Sequence, residues 1–202
     1  MSSARRHHLG GFKPKLIALS VAACFSLSSA QSLANPTGGT VSSGSASIAS
    51  SGNTLTITNS PNAIINWGSF SIGVNEITQF LQSSSGSAVL NRVVGTNGVI
   101  PQSVIDGVLS SNGRVFLLNS SGIVIGSTGR IDVAGFVASS LNLSDQDFLD
   151  GRHRYTETPG AGAVINRGVI DTSSAGPAAG CSWWLRMCRT QASSAPRKGR
   201  SC

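Results

Sequence analysis

Between residues 54 and 171 the apolar positions fall in short runs, each broken by Gly, Asn or Ser before it reaches helix length. The runs are "TLTIT" (54–58), "AIINW" (63–67), "SFSI" (69–72), "EITQF" (76–80), "AVLNRVV" (88–94), "RVFLL" (114–118), "IVI" (123–125), "RIDV" (130–133), "GFVAS" (135–139), "AVIN" (163–166) and "GVID" (168–171). The residues between them turn a chain at little cost, so the pattern predicts strand after short strand. A β-sandwich would favour longer strands, with turns roughly every 8–12 residues. Here the runs recur about every seven residues, which favours a parallel β-helix whose coils of about 20–25 residues each fold through three strands. Ile65, Phe116, Leu118, Ile123, Ile125, Ile131 and Val133 are the expected interior positions, each stacked on its counterpart about 4.8 Å away in the next coil.

The runs also repeat a motif. "INWGSFSI" (65–72) and "INRGVID" (165–171) share Ile-Asn-x-Gly-x-apolar, and "LNSSGIVI" (118–125) has one more residue before its Gly. An Asn side chain can bond nearby backbone amides, and Gly reaches left-handed conformations freely. Asn66, Asn119 and Asn166, followed by Gly68, Gly122 and Gly168, are therefore the expected corners. The segment 38–58 is the expected cap over the first coil, whose edge would otherwise be bare.

Two segments depart from the rhythm. In "GVIPQSVIDGVLSSNG" (98–113), Val104, Ile105, Val108 and Leu109 have helix-like spacing, which predicts a short helix or an excursion. "LSDQDFLDGRHRYTETPG" (143–160) is charged and predicts a solvated loop. Its Asp145, Asp147 and Asp150 resemble a calcium loop faintly, but the spacing is wrong and Thr156 stands where a closing Glu would be.

Both ends differ from the middle. Residues 1–34 read as a secretory signal peptide: a lead with Arg5, Arg6, Lys13 and Lys15, the apolar "LIALSVAACFSL", then small residues. Cleavage is expected after Ala34, with Ala30 as the alternative. A lipoprotein reading at Cys24 competes with it, but the apolar run continues past that residue. Residues 176–202 hold Trp183, Trp184, Cys181, Cys188 and Cys202 with five basic residues and no carboxylate. They keep neither strand nor helix period, and no paired C-x-x-C or nearby His supports a metal site. Nothing in them pre-organises the two Trp residues as a nucleic-acid arm. The tail reads as disordered or as out-of-frame translation of what is otherwise the front of a longer protein.

These ends account for the chain's formal charge of +7. The body, residues 35–175, carries six Arg, no Lys and eight carboxylates, a net charge of −2, so no nucleic-acid partner is implied. It also lacks cysteine. An enzyme on a β-helix would need clustered carboxylates on one face. The strands offer only Glu76, Asp132 and Asp171, and His153 is the one imidazole of the body. No catalytic residue, metal or cofactor is expected from them.

The run "VLNRVVGTNGVIPQSVIDGVLSSNGRVFLLNSSGIVIGSTGRIDVAGFVASSLNLSDQDF" (89–148) closely resembles the amino-terminal secretion domain of filamentous-haemagglutinin-type exoproteins. The similarity extends from "INWGSFSIGVNEITQF" to "AVINRGVID", and "NRV", "SNGRVFLLN" and "GFVASSL" in that order are its most specific parts. The resemblance implies an all-β, right-handed parallel β-helix with an amino-terminal cap and no enzymatic activity of its own. It implies recognition in the periplasm by the POTRA domains of an outer-membrane barrel, with release to the cell surface or medium of a Gram-negative bacterium. It implies adhesin or haemolysin functions, toward a host-cell surface or a glycan receptor, in a region beyond these residues. Asn91 and Arg92 of "NRV" and the corner Asn119, Ser120, Ser121, Gly122, Ile123 are the residues it marks for transporter recognition, with Asn66, Gly68, Asn166 and Gly168 as related turns. The family usually reads Asn-Pro-Asn-Gly-Ile where this chain has Asn119-Ser120-Ser121-Gly122-Ile123. Losing Pro, which pre-sets φ, leaves that turn less rigid. The alternative is a stand-alone β-helix that binds or degrades carbohydrate.

Overall fold

The computed structural model describes residues 35–173. The expected signal peptide with its candidate cleavage sites Ala30 and Ala34, Cys24 and the tail from residue 176 lie outside the described residues. Three parallel ladders run through the body. The first joins β3 (Thr54–Asn59), β5 (Ile77–Leu81), the start of β8 (Val108–Leu118), the start of β10 (Arg130–Ser139) and β14 (Val169–Asp171). The second joins β4 (Ala63–Trp67), β6 (Ala88–Val93) and the later halves of β8 and β10. The third joins β7 (Ser103–Ile105), β9 (Ile123–Ile125) and β13 (Val164–Asn166), with Ile72 bridging to Ile105 below it. Each coil visits the three ladders in turn, which is a parallel β-helix.

The cap is built from β1 (Thr40–Ser43), antiparallel on β4, and β2 (Ala46–Ser51), antiparallel on β3. These two form the ends of the nine-stranded sheet and close over the first coil. β3, inside the segment expected to cap, is instead the first rung of the stack.

Inward side chains stack in files because parallel strands are in register. Leu55, Thr78, Leu109, Ile131 and Ile170 form one file of the first ladder, and Ile57, Phe80, Ser111 and Val133 another. The second ladder adds Ala63, Val89, Val115 and Phe136, then Ile65, Asn91, Leu117 and Ala138. Most of these side chains are fully buried. Each such aliphatic contributes roughly 1.5–3 kcal/mol through lost water contact. Trp67 and Phe70 meet edge to face at 5.7 Å beneath the cap.

Three expectations are corrected. Phe116 and Leu118 face outward, in a second cluster with Ile64, Ala88 and Leu90, while Val115 and Leu117 point inward. "VFLL" is apolar on both faces, so alternation could not tell inside from outside. Residues 98–113 hold no helix: β7 ends at Ile105, and β8 starts at Val108 after an Asp106-Gly107 corner. A Cβ on Gly107 would lie 2.1 Å from the Gly73 carbonyl oxygen and 2.4 Å from that of Glu76, so the coil turns there on a glycine packed against backbone. Finally, the charged segment is no free loop. It folds as β11 (Asn142–Leu143), the five-residue α1 (Asp145–Leu149) and β12 (Tyr155–Thr156), with β11 and β12 paired antiparallel. Leu143, Phe148 and Tyr155 from it cover the outward cluster.

Candidate functional site

The corner after β8 is tied to the coils on both sides. Asn119 is buried, with 1% of its surface exposed. Its Nδ2 donates to the Pro101 carbonyl at 2.8 Å and to Ser103 Oγ at 2.9 Å, while its Oδ1 accepts from the Ser121 amide at 2.9 Å. The Gly122 amide donates to the Asn119 carbonyl at 2.9 Å, which closes the turn. Gly122 has φ +96°, and a Cβ there would stand 2.7 Å from the Ala163 carbonyl oxygen, so a side chain meets both strain and a clash. Ser121 Oγ donates to the Ile100 carbonyl at 2.6 Å, and the Ser120 carbonyl accepts from the Gly162 amide at 2.7 Å. Ile123 is fully buried. The half-exposed Ser120 and Ser121 are what this corner presents outward.

The other motif residues differ among themselves. Asn166 Oδ1 accepts from the Gly168 amide at 3.0 Å, a local turn of the same kind as at Asn119. Gly168 packs so closely on the previous coil that a Cβ would lie 2.3 Å from the Gly129 carbonyl oxygen. Asn66 instead sits within β4, its Oδ1 3.5 Å from Arg92 Nη1. Gly68 donates to the Thr37 carbonyl at 3.0 Å, under the cap.

Asn91 and Arg92, adjacent in sequence, point to opposite sides of β6. Asn91 is fully buried, accepting from Trp67 Nε1 at 2.9 Å and donating to the Phe116 carbonyl at 3.3 Å. Arg92 crosses the outward face. Its Nη2 donates to the Leu143 carbonyl and to Asp145 Oδ1, both at 2.7 Å. The partners of Arg92 were not predicted, because nothing in the local sequence signals a contact across 53 residues. Nor was the Asn112 amide, which donates to the Gln82 carbonyl at 2.6 Å and accepts from its amide at 2.7 Å, filling the place of a strand neighbour.

The remaining charges are spread over the surface. Asp132 and Asp171 flank Arg130, each with an oxygen 3.8 Å from its Nη2. A hydrogen bond from Ser173, with help from Arg130, holds the Asp171 carboxyl below its ordinary value. Glu76 accepts from the Gly73 amide at 2.7 Å, at a corner. Asp147 and Asp150 both engage Arg152, and His153 meets the Phe116 ring at 5.3 Å. Glu76, Asp132 and Asp171 thus have structural partners of their own, and Glu76 lies at a corner before β5 and not in a strand.

The TPS secretion domain family matches residues 30–180. The chain belongs to that family. The family's domains serve exoproteins of Gram-negative bacteria that leave through a partner in the outer membrane. This TPS secretion domain is similar to the crystal structure of the HMW1 secretion domain from Haemophilus influenzae, with a TM-score of 0.64 and 38% identity, covering 67% of this chain and 36% of that one. It is also 33% identical over 138 residues to a heme/hemopexin-binding protein of Haemophilus influenzae strain Rd, covering 67% of this chain and 15% of the relative. A second heme/hemopexin-binding protein from Haemophilus influenzae is 32% identical over 110 residues, 54% of this chain and 11% of the relative. The TPS domain here thus spans less than a sixth of the length of these curated relatives. Nothing among them supports the carbohydrate-binding or carbohydrate-degrading alternative.

Proposed function

We propose that this TPS secretion domain is the export address of a larger exoprotein. A signal peptide ending at Ala34 delivers the chain to the periplasm. There, POTRA domains of an outer-membrane barrel recognise the domain and thread it outward, amino-terminal part first. Coil-by-coil folding outside then draws the chain through without ATP, because each new strand finds a template edge in the previous coil. A cysteine-free body suits this route, since a disulfide formed beforehand would obstruct passage. The domain itself performs no catalysis, and adhesion to a host surface or glycan belongs to the exoprotein's other regions. The observation that carries this reading is the 38% identity to a solved secretion domain across 67% of the chain.

Within the domain, Asn119, Ser120, Ser121, Gly122 and Ile123 are the first candidates for the address, with Asn91 and Arg92 beside them and the corners Asn66-Gly68 and Asn166-Gly168 in support. Asn119 and Gly122 shape the turn, and the half-exposed Ser120 and Ser121 are its readable part. The test is to express the full chain with and without its partner barrel and measure it in the medium. Release only with the partner, reduced at least tenfold by Gly122→Val, is the expected result. Release that is indifferent to the partner would overturn the reading.

A further inference from the structure

The outward face of the second ladder differs from that of the first. On the first, Thr54, Thr56, Gln79, Ser110 and Asp132 are at least partly exposed, as befits a surface. On the second, Ile64, Leu90 and Phe116 stand in register and, with Leu118 beside them, form an apolar strip. Its cover is the β11–α1–β12 segment. Those two strands form a sheet of their own, separate from the ladders. The cover therefore extends no ladder, and side chains do most of the holding. Leu143 and Phe148 pack on the strip, and Phe116 and Phe148 meet edge to face at 5.3 Å.

Polar fastening is concentrated at Asp145. Its Oδ1 takes the hydrogen bond from Arg92 of β6 at 2.7 Å, and its Oδ2 accepts from Ser42 of β1 at 3.3 Å. Ser42 stands 103 residues earlier in the chain, so one carboxylate joins the cap, the second coil and the cover. Arg92 is also bound to the Leu143 carbonyl, which places both of its short contacts on the cover.

We propose that residues 142–156 are a strap that closes after the second ladder is built and opens from it as a unit, with Arg92–Asp145 as its latch. Three coils are complete by Ile125, before any strap residue follows in the sequence. If the chain crosses the membrane amino-terminal part first, which rests on the function proposed above, the strip is formed bare and the strap covers it last. Latch closure then marks the point at which the outer face of the second ladder is covered.

Hydrogen exchange on the purified full chain tests this without any transporter, so its outcome is independent of whether secretion needs a partner. Amides of 144–151 are expected to exchange at least tenfold faster than those of β6 and β8. Asp145→Asn should speed 144–151 by about a further tenfold while leaving β6 and β8 unchanged, and Arg92→Lys should behave closer to wild type than Arg92→Leu. A common exchange rate for strap and ladders in the wild type would overturn the proposal even if the variants fail to fold. So would an Asp145→Asn variant that loosens both regions equally.

Discussion

The files inside the β-helix and the strap outside it bury comparable side chains by different means. Inside, Phe80 lies in a file between Ile57 and Ser111, fixed by register bonds to the strands on either side. On the outside, Phe148 rests on Phe116 and is held by a five-residue helix and an ion pair. Repetition makes the first arrangement cooperative, because each strand is both guest and template. The strap has no repeat to lean on, and its fit depends on contacts with residues far earlier in the sequence, from Phe116 back to Ser42. Burial alone therefore does not say how a region is held.

The largest expected effect sets these two aromatics against each other. Phe80→Ala should cost about 4 kcal/mol of global stability in urea unfolding followed by far-UV circular dichroism. Phe148→Ala should move that midpoint far less, while markedly raising exchange in the strap. Equal losses of global stability would erase the distinction. Next, Gly107→Ala should cost about 3 kcal/mol, since the new Cβ falls on two carbonyl oxygens of the coil below. A matching change at Gly151, in the strap, meets nothing within 4 Å and strains only its φ of +69°, so it should cost about 1 kcal/mol.

A third test compares two asparagines that the motif made equivalent. Asn119→Ala leaves buried partners unpaired and should cost about 2 kcal/mol, whereas Asn66→Ala should stay within about 0.5 kcal/mol. Thermal unfolding of the two variants separates them, and equal losses would restore the motif's equivalence. The smallest effect is one of pH. Hydrogen bonds from Arg152 and Ser144 hold the Asp147 carboxyl below its ordinary 3.8. The folded state therefore binds that proton more weakly than the unfolded chain does. Its stabilising contribution is complete above about pH 4 and is lost as the pH falls through the lower folded value. Exchange of the α1 amides should rise modestly over that window, and Asp147→Asn should flatten the rise.

Much of this was readable from the chain. Nearly every expected strand from 54 to 171 is present, because runs bounded by Gly and Asn have few other ways to fold. The Asn119 and Asn166 side chains bond amides two residues on, a contact that needs only local geometry. Asn66 shares the motif but lies inside a strand, where the cap and Arg92 supply its neighbours. The 98–113 segment misled because helix-like spacing ran through a corner that only the coil beneath it makes necessary.

By itself, the sequence determined the short-strand rhythm, the turns at Asn119 and Asn166, the absence of cysteine from the body and the family. Those are local or compositional properties, set by what each residue permits its own backbone and by the order of motifs. Only the tertiary structure decided which side of "VFLL" faces the core, what Arg92 holds, and that a charged segment covers an apolar strip. Each of these depends on the order in which coils stack and on what lies across the gap. A run of apolar residues specifies that it must be buried, and the fold alone supplies the surface that buries it.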